Sequence, residues 1–117
     1  DAIIADVVDA IIEAGADAII SSNTTIRRDG VAGHANAQEA GGLSGAPLTQ
    51  RADAVLAQVV KATNGRVPVI GVGGIMSVAD AARKLDLGAS LIQIYTGMLY
   101  RGPGFVGDLV RGLASRA

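Results

Sequence analysis

Cysteine is absent and histidine occurs once, at His34. The first absence excludes a disulfide framework and thiolate-held metal, and the second excludes a histidine-rich metal centre. Aromatic residues are scarce, at 3% with no tryptophan, which argues against an aromatic-cored β-sandwich. No sign of charge prevails. The formal net charge is -1, and the basic residues Arg27, Arg28, Arg51, Lys61, Arg66, Arg83, Lys84, Arg101, Arg111 and Arg116 are scattered instead of gathered into one stripe, so no nucleic acid is expected as a partner. Long hydrophobic runs are missing as well. Asp6, Asp9, Glu13 and Asp17 break the apolar stretches, and nothing approaches the roughly 20 apolar residues of a transmembrane segment. No signal-peptide pattern is visible, and the lack of cysteine is compatible with a reducing, cytosolic setting.

Half of the 117 residues are hydrophobic and 16 are glycine, which suits one small α/β domain with close backbone packing and tight turns. The first residue is not Met and a helical pattern begins at once, so we expect a segment of a longer protein. Ile3, Ile4, Val7, Val8, Ile11 and Ile12 recur on two adjacent rows and predict an amphipathic helix ended by Gly15. Residues 18–22 and 67–72 read as strands buried in a parallel sheet, and residues 90–95 as a third strand. A helix is predicted over 49–63, ending at Asn64-Gly65, and another starts at Ser77, where Asp80 three residues on fits a capping box. Gly88 closes that helix, and a turn at 101–104 leads to a last one through Leu113.

The order is α-β-α-β-α-β-α. Gly15-Ala16-Asp17-Ala18-Ile19-Ile20 is echoed by Gly88-Ala89-Ser90-Leu91-Ile92-Gln93, so one device for stopping a helix and starting a strand is used twice. Right-handed crossovers would lay the strands parallel, as a piece of a closed (β/α)8 barrel or of an open sheet. Between 26 and 47 there is no clear period, and Gly30, Gly33, Gly41, Gly42 and Gly45 fall there. A loop of that length in a small domain tends to be functional.

Ligands of parallel βα arrays bind at the carboxyl ends of the strands. Those ends are Ser22-Asn23-Thr24-Thr25, Gly73-Gly74-Ile75 and Tyr95-Thr96-Gly97. Glycines admit main-chain N–H groups to an anion and a following helix adds a favourable dipole, so the last two ends suit a phosphate. A plain strand-to-helix turn at Gly73-Gly74 is the alternative. The Rossmann fingerprint fails, with Met76 at its third glycine position, and no glycine-lysine pair provides a P-loop. Asn23 and Thr24 offer both donors and acceptors for the edge of a planar heterocycle, or else a local turn closing the strand. Arg27-Arg28-Asp29 and Arg83-Lys84 read as solvated faces, His34 as a loop residue, and no nucleophile and base pair is recognisable.

Ser22-Asn23-Thr24-Thr25, the run Gly41-Gly42-Leu43-Ser44-Gly45-Ala46-Pro47-Leu48, then Val69 through Ile75, and Gly88 through Gly97 together resemble dihydroorotate dehydrogenase, across nearly the whole chain. The ending Tyr95-Thr96-Gly97 with Tyr100-Arg101-Gly102-Pro103-Gly104 looks like the quinone-reducing class (class 2). The resemblance implies an FMN-containing (β/α)8 TIM barrel, of which residues 1–117 would form a partial domain holding the last three βα units. Ser22 then matches a flavin-contacting residue, although threonine is more usual there. Asn23 and Thr24 match residues that hold the dihydroorotate or orotate ring. Gly45, Gly74, Tyr95 and Thr96 match FMN contacts, the last three chiefly at the phosphate.

The family's serine base, flavin-contacting lysine and N-terminal quinone- and membrane-binding helices have no counterpart in these residues, so no catalytic residue is assigned here. The implied parent oxidises dihydroorotate to orotate in pyrimidine (UMP) biosynthesis, passes electrons to a quinone, and sits peripherally on the cytoplasmic side of the bacterial inner membrane. This segment alone would be soluble and inactive. Two alternatives stand beside that reading, a non-catalytic phosphate- or FMN-binding half-barrel and a soluble-class dihydroorotate dehydrogenase.

Overall fold

A computed structural model describes residues 3–116. Helix α1 (Ile4–Glu13) leads to strand β1 (Ile19–Ser21). A long loop closes with a 3-10 turn (Ala46–Leu48) and runs directly into α2 (Thr49–Thr63). Strand β2 (Val69–Val72), α3 (Val78–Asp86), β3 (Leu91–Gln93), α4 (Thr96–Arg101) and α5 (Phe105–Ala114) follow. The expected order is therefore found with one addition, the six-residue α4, in a stretch to which the sequence assigned no element; the turn expected at 101–104 follows it. The strands are also shorter than expected at their ends.

The three strands are parallel in the order β1-β2-β3, with Ile20 opposite Ile70 and Ile70 opposite Leu91. Side chains alternate across a strand, so residues in register share a face. Ile19, Val69 and Ala89 are buried against Val8 of α1 and Leu56 and Val59 of α2. Ile92 packs with Ile75, Ala81 of α3 and Phe105 and Leu109 of α5. All of this lies on one face. Ile20 and Leu91, on the other, remain 56% and 63% exposed. Sequential parallel strands with every crossover helix on the same side are a curved section of a barrel wall, whereas an open doubly wound sheet carries helices on both faces. The α/β partial-barrel reading thus holds over the open sheet.

The repeated helix stop has one geometry in both places. Gly15 (φ +88°) donates to the Ile12 carbonyl and Ala16 to that of Ile11. Gly88 (φ +102°) donates to Leu85 and Ala89 to Lys84. These are paired Schellman bonds, which satisfy the last carbonyls of a helix and need a left-handed residue that glycine supplies without strain. Strand β1 starts four residues after the first glycine and β3 three residues after the second.

One expectation fails behind the sheet. Lys84 is not on a solvated face: it is fully buried at 0% exposure, and its Nζ donates to Asp53 Oδ1 at 2.6 Å. A Cβ added at Gly71 would meet the Lys84 side chain at 3.3 Å and Leu56 at 3.2 Å. Glycine in β2 therefore lets the lysine stem lie beneath the strand while its ammonium ties α3 to α2. Arg83 beside it does stay exposed.

Candidate functional site

The three strand tips converge. Ser22, Asn23 and Thr24 after β1, Gly74 after β2, and Tyr95 and Thr96 after β3 line one cleft of about 410 Å³, together with Gly45 from the long loop. All seven residues singled out in the sequence are thus brought to a single place. Ser44, Gly73, Ile75, Met76, Gln93 and Gly97 also line it. Ser44 was not singled out, although it lies in the Gly41–Leu48 run. Its Oγ is 2.9 Å from Thr96 Oγ1, joining residues 52 apart in the chain.

Local bonds set the shape of each tip. Past β2, Gly74 turns with φ +70° and lies so close to Thr49 that a Cβ there would collide with that residue's main chain. Thr49 Oγ1 donates to the Gly74 carbonyl at 2.7 Å. Gly97 sits equally close to the carbonyl of Ile75, so the second and third tips pack directly on one another. A methyl at Gly45 would meet the Thr96 side chain at 3.1 Å, which brings the loop against the same tip. Met76 N–H donates to Asp80 Oδ2 at 3.0 Å, and Asp80 N–H to Ser77 Oγ at 3.2 Å.

The capping box read in the sequence is therefore realised with the Asp80 carboxylate turned back onto Met76 and Ser77. That corrects one part of the phosphate reading. The start of α3 is closed by its own side chains, and its dipole is not presented bare to a ligand. What remains is main chain. Among the described residues, the N–H groups of Gly74, Ile75, Thr96 and Gly97 have no protein acceptor, and Gly74, Ile75 and Gly97 are buried. Thr96 and Gly97 open α4, where N–H groups have no intrahelical acceptor; buried N–H groups are nearly always paired, so these donors around one cleft suit an acceptor-rich ligand.

At the first tip the local-turn reading of Asn23 is realised. Its Oδ1 accepts from Thr24 N–H at 2.8 Å, a local turn contact. Its amide nitrogen has no partner among the described residues and remains a donor for a ligand. Thr24 is braced from behind by Gly42, which a Cβ would drive into the threonine side chain. Tyr95 is 70% exposed and contributes its carbonyl to Met98 and Leu99 N–H, opening α4.

No charged side chain lines the cleft among the described residues, and no group of acidic, histidine or cysteine residues is placed to hold a metal. Such a site can orient a planar polar ring and grip a phosphate through amides and hydroxyls. Among the described residues its lining is uncharged. The donor set fits FMN, whose phosphate accepts from main-chain N–H groups. A larger hollow of about 590 Å³ lies along the long loop. It shares Ser44, Gly45, Met76 and Thr96 with the cleft but touches neither the Ser22–Thr24 tip nor Gly74, so the smaller cleft is the candidate in which the strand ends meet.

Known proteins agree with this geometry. The family model described as dihydroorotate dehydrogenase matches residues 1–116. A dihydroorotate dehydrogenase (quinone) of Methylococcus capsulatus is 49% identical over 106 residues, which are 91% of this chain and 31% of the relative. One from Chromobacterium violaceum is 52% identical over 86% of this chain and 29% of its own length. Among solved structures, ligand-free DHODH from Eimeria tenella superposes with a TM-score of 0.88 at 37% identity, covering 97% of this chain and 32% of that one. The same enzyme in complex with ferulenol gives 0.87, covering 94% and 29%. The chain spans about a third of the length of the relatives it matches. With a match from end to end and the strand tips gathered as that family's motifs imply, the chain belongs to the dihydroorotate dehydrogenase family.

Proposed function

We propose that residues 1–117 form one partial FMN-binding barrel domain of a quinone-type dihydroorotate dehydrogenase, oxidising dihydroorotate to orotate in pyrimidine synthesis. The observation that carries this is the single uncharged cleft in which all seven motif residues meet four uncommitted main-chain N–H groups. In this reading Gly74, Ile75, Thr96 and Gly97 hold the FMN phosphate through their amides, with Gly45, Ser22 and Tyr95 flanking the cofactor. Bound FMN supplies the hydride acceptor. Asn23 presents its amide nitrogen to the pyrimidine edge, and Thr24, pressed forward by Gly42, fixes the ring's distance. Sequestering the ring between tip and loop keeps water from competing for these donors.

The proton-accepting base and the quinone-binding surface come from residues outside this chain. Among the described residues no helix is long and apolar enough to cross a membrane. Peripheral attachment to the cytoplasmic face of the bacterial inner membrane would likewise rest on those other parts. The test is a chimera in which this chain replaces the matching third of the Methylococcus capsulatus relative. Dihydroorotate-dependent reduction of a quinone analogue, with a flavin absorbance spectrum, is expected. A folded chimera that binds FMN yet gives no turnover would refute the catalytic assignment and favour the second reading, a non-catalytic FMN-binding half-barrel.

A further inference from the structure

The structure assigns to Arg28 a positioning role for the cleft, an inference that rests on the function proposed above. Arg28 does not belong to a solvated face. Its Nε donates to the Ala37 carbonyl at 3.0 Å, and Nη2 to those of Glu39 at 3.0 Å and Gly41 at 2.7 Å. Nη1 lies within 3.1–3.4 Å of the carbonyls of Thr25, Ile26 and Arg27. One half-buried guanidinium thus gathers both arms of the 26–45 loop, the arm leaving β1 and the arm returning to α2. Only a planar fork with five N–H donors can do this; a lysine ammonium is a point charge with three.

The returning arm carries the consequence into the site. Just past Gly41, Gly42 packs on Thr24, and Leu43 exchanges main-chain bonds with Thr25 at 2.7 and 3.0 Å. Ser44 then bonds Thr96 and Gly45 abuts it. From Arg28 the path runs through four consecutive residues that touch the ring-holding tip at one end and the phosphate-holding tip at the other. Nothing else on the loop makes side-chain bonds to both arms among the described residues. Arg28 touches neither ring nor phosphate in this scheme; it fixes the loop that presses Thr24 and Thr96 towards each other.

The experiment uses the active chimera carrying Arg28→Ala or Arg28→Lys. Misplacement of positioned groups by an ångström costs up to about a hundred-fold in rate. The expected result for Arg28→Ala is a KM for dihydroorotate raised about ten-fold or more, weaker FMN retention, and partial recovery on adding millimolar guanidinium. Arg28→Lys should lower KM only part of the way back towards the parent value. A KM and FMN affinity within two-fold of the parent, even with a lowered Tm, overturns the proposal, because a purely structural role moves stability alone. If Arg28→Ala does not fold, Arg28→Lys with and without guanidinium carries the same comparison.

Amide exchange at 41–45 needs no activity and separates the two ideas. A parent chimera without turnover refutes the function, while faster exchange in the Arg28 variants still supports the positioning role and unchanged exchange refutes it.

Discussion

Two cations, one behind the sheet and one before it, do opposite kinds of work. Lys84 is sealed between α2 and α3 and answers one carboxylate, Asp53. Arg28 sits at the loop in front and, among the described residues, answers neutral carbonyls. A buried ion pair is costly to form and more costly to break, so its value lies in holding two helices in one arrangement. Carbonyl contacts from a half-exposed guanidinium contribute less to global stability and more to the shape of a loop. The back of this molecule therefore sets whether it folds, and the front sets what the cleft can hold.

The sharpest way to break that contrast is Asp53→Ala, which leaves the buried ammonium of Lys84 without a counter-charge. Loss of about 3–5 kcal/mol is expected, read by urea denaturation of the chimera. Replacing both partners together, Asp53→Leu with Lys84→Met, should recover most of it, because a well-packed apolar pair is often as stable as the ion pair it replaces. A double variant no better than the single one would show that the ion pair is not what Asp53 supplies.

At the front, Gly74→Ala places a methyl into the Thr49 main chain at φ +70°. Backbone strain of this kind costs about 1–3 kcal/mol, but in the proposed function the displaced tip carries the phosphate donors, so FMN affinity should fall by more than ten-fold. A calorimetric titration that finds FMN bound as tightly as before would remove Gly74 from the phosphate site.

The smallest effect compares the twin helix stops. Gly15 has open space around it, whereas a Cβ at Gly88 would meet Val60 at 2.7 Å. Gly15→Ala should cost about 1 kcal/mol from the left-handed backbone alone, and Gly88→Ala distinctly more, measured as the difference in denaturation midpoints. Equal losses would mean that Val60 yields freely and that only backbone conformation matters.

Much of this was legible in the sequence because it is local. The glycine stops, the Ser77 cap and the α2 boundaries each depend on residues a few positions apart, and the strand-end rule then placed Asn23, Gly74 and Thr96 together. Resemblance added Gly45, in the long loop, which the strand-end rule does not reach, and gave Ser22 its flavin-contacting role. Helix α4 escaped because six residues, Thr96–Arg101, are too few to show an apolar period and bring no side-chain cap. Arg28 and Lys84 escaped for another reason. A charge looks solvated until its partners are known, and those partners lie 9–13 residues away for the Arg28 contacts to the returning arm and 31 away for Lys84.

The peptide of Gly74 has its oxygen engaged by the Thr49 hydroxyl and its neighbour Ile75 wedged beneath Gly97. A tip locked in this way has little left to lose when a guest arrives. Association at this end of the cleft should therefore proceed with almost no rearrangement of the host and a small ordering penalty, so that any slow step in loading belongs to the Arg28 loop and not to the strand ends.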